Sequence, residues 1–127
     1  MNNQPYELTE SDKKWNKLWA ISGTEELAVR NPRMNDLCDY YGGIMGEGHS
    51  GWLFNTESAE GKEALSARLA SLKEILPEHL YANLEKAVRA YDTDDEDDVC
   101  AEADDYFYEH EQEVNDIFRR FADTLDI

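Results

Sequence analysis

A chain of 127 residues with 29 Asp and Glu against 12 Lys and Arg carries a formal charge of −17. Its 41 % of hydrophobic residues is too apolar for a fully disordered chain, and its length suits one domain with its own core. Such acidity excludes direct binding to nucleic acid or docking on anionic lipid and leaves cationic partners, a basic protein surface or metal ions.

The first eight residues are polar and predicted to be loose. They lack the apolar run of a signal peptide, and no stretch of the chain approaches transmembrane length, so a cytoplasmic setting is expected. From Thr9 to Ser22, Trp15, Leu18 and Trp19 have helical spacing, and Gly23 is a stop. Thr24 followed by Glu25 and Glu26 reads as a cap with acids in the first turn, opening a short helix that ends on the approach to Pro32. Asn35 or Asp36 is expected to open the next helix, through Leu37, Cys38, Tyr40, Tyr41 and Ile44.

Residues 42–51 hold five of the seven glycines, as in a flexible connection or a tight helix-to-helix passage. Asn55, Thr56 and Ser58 are candidate caps for a helix with the stripe Leu65, Leu69, Leu72, Ile75, Leu76. Pro77 and Glu78 open another, carrying Leu80, Tyr81, Leu84, Val88 and Tyr91. The last and longest predicted helix places Val99, Ala103, Tyr106, Phe107, His110, Val114, Ile117, Phe118, Phe121 and Leu125 on one face. No run alternates with a strand's two-residue period. The expectation is an all-α, single-domain bundle of five or six helices over residues 1–127, with a long acidic C-terminal helix.

Residues 92–116 contain thirteen acids and no Lys or Arg, so this segment carries −13 of the −17. Asp94, Asp98, Glu102, Asp105, Glu109, Glu113 and Asp116 follow one another at three- and four-residue steps. On a continuous helix they form one stripe within about 100° of arc, roughly 135° from the apolar stripe and so facing solvent. Asp95, Asp97, Asp104 and Glu111 broaden the field. A helical 92–116 would span about 36 Å, one charge per about 2.8 Å, against about 3.4 Å for a single DNA strand. Like charges at this spacing destabilise a helix by about 0.2–0.5 kcal/mol per pair, and folding alone would interleave Lys. The helix dipole favours acids near residue 92 but does not account for Glu109, Glu113 or Asp116.

Gly46, Gly48 and Gly51 spell G-x-G-x-x-G, but no strand precedes them, and Glu47 opposes a pyrophosphate. Ser50 brushes a nucleophile-elbow pattern whose final glycine is Trp52. Asp92, Asp94 and Glu96 sit at calcium-loop positions, yet the required glycine is Asp97 and the required Glu is Ala103. His49, His79 and His110 have no mutual metal spacing, and Cys38 and Cys100 read as free buried thiols. No metal site, cofactor or catalytic group is therefore expected, and the chain reads as a non-enzyme.

Two stretches resemble a known family. One is GEGHSGWLFNTES running into EGKEALSARLASLKEIL, with paired glycines, an aromatic cluster and an Asn before a helix. The other is ADDYFYEHEQEVNDIFRRFA, with paired Asp, an aromatic triplet and an acidic run. Over residues 35–121 they resemble a small helical bacterial family named for an acidic DNA-mimic protein. His49 and Ser50 stand where that family tends to have Asn and Gly. The resemblance implies an all-α fold and, as in the family's type member, a dimer whose carboxylates imitate DNA and occupy the DNA-binding face of a transcriptional repressor. The expected function is to bind and block a basic DNA-binding protein through the seven stripe residues. An immunity or antitoxin-like inhibitor of a cationic toxin is the alternative, and an acidic helical domain with incidental divalent-metal binding is a third reading.

Overall fold

The computed structural model describes residues 7–125, so the loose segment expected at 1–8 lies, except for its last two residues, outside the described residues. Among them are seven helices and no strand. They are α1 (Glu10–Ile21), α2 (Glu25–Arg30), α3 (Pro32–Glu60), α4 (Lys62–Ile75), α5 (Glu78–Ala90), α6 (Glu96–Glu109) and α7 (Glu111–Ala122). The all-α expectation holds. The count is seven rather than five or six because the segment expected to form one long final helix is divided at His110.

Local chemistry sets most of the boundaries. Thr9 and Asp12 close a reciprocal capping box at the start of α1, and Gly23 at φ +76° lies in the turn after it. Asn31 begins α3, its side chain accepting the Met34 N–H at 3.2 Å with Pro32 in the first turn. The helix thus begins one turn before the expected start at Asn35 or Asp36. The glycine-rich stretch is not a flexible connection: it lies in the middle of α3, the longest helix at 29 residues, whose two halves meet at a tight passage at Gly48. Asn55, Thr56 and Ser58 lie inside α3 rather than capping the next helix. The chain instead stops at Gly61, whose φ of +93° disfavours any side chain.

α3 runs through the middle of the molecule and touches α2, α4, α5, α6 and α7, while α1 packs on α7 and α5 on α6. Its buried face carries Leu37, Tyr40, Ile44, Trp52 and Leu53. Tyr40 meets the rings of Trp52 and Phe107 edge to face at 5.0 and 5.5 Å, which ties both halves of α3 to α6. Trp15 and Trp19 cover the same core from α1. Cys38 and Cys100 are free and buried, and burial pushes their thiols up to about 12 and about 11. Among the described residues no helix is long and apolar enough to cross a membrane.

Candidate functional site

The acidic segment is not one rod. Asp92 adopts φ +61°, residues 92–95 form a turn, and α6 begins only at Glu96. Glu96 folds back to accept the Asp92 N–H at 2.7 Å and the Ser50 hydroxyl, which fastens the turn to α3. At the other end His110 leaves the helical region (φ −110°, ψ 15°). Its N–H is shared between the carbonyls of Tyr106 and Phe107, and its ring Nδ1 donates to Tyr106 O at 2.8 Å. The stripe is therefore divided. Asp94 and Asp95 lie in the turn, Asp97, Asp98, Glu102, Asp105 and Glu109 on α6, and Glu113 and Asp116 on α7.

Within α6 the face survives. Asp98, Glu102, Asp105 and Glu109 fall within about 60° of arc, about 160° from the buried Cys100, Ala103 and Phe107. All four are exposed, as are Asp94, Asp95 and Asp97. Among the described residues these seven side chains make no ion pair or hydrogen bond, and no Lys or Arg pairs with any residue from 92 to 116. The cations that form ion pairs do so elsewhere, among them Arg68 with Asp36, Asp39 and Glu60, Lys17 and Arg30 with Glu26, and Arg119 with Asp12. The 14 residues of α6 span about 21 Å. Its five unpaired acids give one charge per about 4 Å, sparser than the single-strand value of about 3.4 Å.

The other predicted acids have work inside the fold. Asp104 is half-buried and accepts both the backbone N–H and the ring Nδ1–H of His49, each at 2.7 Å. Gly48 breaks α3 just before His49, so the second half of α3 has a helix N-terminus of its own, and Asp104 reaches across from α6 to cap it. His49 Nε2 accepts the Tyr40 hydroxyl at 2.6 Å. Burial holds the imidazole below its ordinary pKa, with Asp104 opposing, and pushes the Tyr40 phenol far up. His49 and Tyr40 are sealed from solvent, so this Asp–His–Tyr chain holds the fold rather than attacking a substrate. Ser50 points to Glu96 instead of His49, which dismantles the nucleophile-elbow pattern. Glu111 accepts the Tyr41 hydroxyl at 2.5 Å, Glu113 bonds His79, and Asp116 accepts from Gln112 at 2.9 Å.

An open groove of about 620 Å³ runs beside the α3 glycines, with Trp52, Asn55 and Arg68 in its wall. Arg68 is already paired with Asp36, Asp39 and Glu60, so its guanidinium is not free for an anionic ligand.

The histidines share no metal spacing in the sequence, yet the fold brings two of them together with a carboxylate. Ligand atoms of His79, His110 and Glu113 lie within 4.8 Å of one another. His110 and Glu113 are three residues apart, a spacing visible in the sequence. His79 comes from α5 and carries no such signal.

No protein-family model, curated protein or solved structure matches this chain.

Proposed function

We propose that this chain is a non-enzymatic, cytoplasmic interaction protein that presents the α6 carboxylates to a basic DNA-binding protein in place of DNA. The observation that carries this reading is the contrast in pairing. Among the described residues, seven exposed acids of residues 94–109 have no internal partner, while the Lys and Arg side chains that form ion pairs all do so with acids outside residues 92–116. An uncompensated like-charged face costs helix stability, so a cationic partner is what it suits. The resemblance of residues 35–121 to the DNA-mimic family gives the partner its class, a transcriptional regulator, and suggests a two-fold pair. The single face on α6 is sparser than a strand of DNA, so it engages one run of cations along a DNA-binding groove.

The test is affinity capture from the native extract at low salt, followed by binding of the recovered protein to wild type and to the variant Asp98→Asn/Glu102→Gln/Asp105→Asn/Glu109→Gln. A basic regulator that elutes steeply with salt, gives up duplex DNA to this chain and ignores the variant is the expected result. Equal binding of the variant overturns the reading. Recovery of a cationic nuclease instead moves the function to toxin neutralisation.

A further inference from the structure

His79, His110 and Glu113 meet where α5 packs against the joint between α6 and α7. His79 stands in the first turn of α5, His110 is the break itself, and Glu113 is in the first turn of α7. We propose that these three side chains form a binding site for one transition-metal ion of the zinc class.

The donor set comes first. Two imidazoles and a carboxylate are the ligands of a three-residue zinc site and suit zinc, nickel or cobalt better than calcium or magnesium, which favour oxygen alone. The spacing fits. His79 Nε2 and Glu113 Oε2 are 2.7 Å apart, and all three ligand atoms lie within 4.8 Å of one another. Donors around a tetrahedral zinc at about 2.0–2.1 Å are about 3.4 Å apart, so small rotations of exposed or half-buried side chains seat the ion.

The second argument is that both rings are already oriented for it. His110 donates Nδ1–H to the Tyr106 carbonyl at 2.8 Å, which leaves the Nε2 lone pair free. His79 places Nδ1 2.7 Å from the Tyr106 hydroxyl and turns Nε2 to Glu113. Metal-binding histidines are held by the remote nitrogen in this way; His110 leaves its near nitrogen bare, while that of His79 shares with Glu113 a proton that the ion would displace. Tyr106 also stacks on His110 at 4.2 Å and meets His79 edge to face at 5.8 Å, so one residue steers both imidazoles. His49 is the internal contrast, because its ring is fully buried with its nitrogens held by Asp104 and Tyr40, out of reach of an ion from solvent.

An ion here links α5 to the α6–α7 joint and fixes the angle at which the α6 face meets α7. Glu113 is exposed, so the outer side of the ion is left to water or to a ligand from outside.

The test uses the full chain stripped with a chelator. Zinc is titrated against a chromogenic competitor in millimolar magnesium, which occupies the diffuse acidic surface. One equivalent should bind tightly, and His79→Gln/His110→Gln should weaken it by at least about 100-fold, with Tyr106→Phe intermediate. Circular dichroism of the metal-free variants checks that they fold. In wild type, ring resonances of His79 and His110 should move on addition of zinc while those of His49 stay. Zinc affinity unchanged in a folded double variant, no tight zinc binding in the presence of millimolar magnesium, or equal shifts at all three histidines would overturn the site.

Discussion

Asp104 Oδ1 receives two hydrogen bonds from one residue, the backbone N–H and the ring Nδ1–H of His49, each 2.7 Å long. It thereby caps the restarted half of α3 and satisfies a fully buried imidazole from a helix 55 residues away. Its neighbour Asp105 is exposed and has no partner among the described residues. Removing the carboxylate in Asp104→Ala strands two buried donors and should cost about 2–3 kcal/mol. Asp105→Ala should stay within about 0.5 kcal/mol of wild type. Urea midpoints at unchanged slope measure both. Equal midpoints for the two variants would remove Asp104 from its role.

The burial of the same imidazole makes stability depend on pH. Burial keeps His49 neutral in the folded chain, while the unfolded chain takes up its proton near the ordinary value of 6.5. Below that value the unfolded state binds more protons, so the contribution of His49 is complete above about pH 6.5 and falls as the pH drops toward the lowered folded-state pKa. The loss approaches about 1.4 kcal/mol per pH unit within that window. Asp104 and Tyr40 are the titratable groups that face the ring. Relief of general acidic repulsion acts in the opposite direction, so the readout is a difference. Chemical denaturation between pH 7 and pH 5.5 should fall more steeply in wild type than in His49→Gln, and parallel curves would contradict the assignment.

Gly48 serves this junction and Gly46 does not. Gly48 sits at φ 74° and ψ 176°, a region that side chains avoid, and a Cβ there would lie 2.6 Å from Asp104 Oδ2. Gly48→Ala should destabilise by at least about 2 kcal/mol. Gly46 is an ordinary helical residue with open space around it, so Gly46→Ala should stabilise by about 0.5–1 kcal/mol. Thermal melts of the two variants should move in opposite directions.

Where the sequence spoke locally, it could be read. Thr9, Gly23, the approach to Pro32, and Pro77 with Glu78 mark the limits of α1, α2 and α5 through interactions within a few residues. The apolar stripe Phe107, Val114, Phe118 continues in register across His110, so periodicity alone draws one helix where there are two. Glycines do not announce which of them breaks a helix: Gly42, Gly43 and Gly46 are helical and only Gly48 is not. The division of the acids into used and free was illegible for a different reason. Asp104 depends on His49, Glu111 on Tyr41 70 residues away, and Glu113 on His79 34 residues away. The α6 face was legible because helical spacing alone defines it.

That face should also report on itself without any partner. Asp98–Glu102, Glu102–Asp105 and Asp105–Glu109 are like-charged neighbours at three or four residues, each unfavourable by about 0.2–0.5 kcal/mol. Neutralising all four residues with Asn and Gln should therefore raise stability by about 1 kcal/mol, a melting-point gain of about 3–5 °C for a chain of this size. Because the repulsion is between exposed charges, about 0.5 M salt should raise the wild type and leave the variant nearly unmoved, so that the gap closes. A variant less stable than wild type at low salt would mean that these carboxylates hold the fold together. The face would then have no surplus charge to offer a partner, and the proposed function would fail along with it.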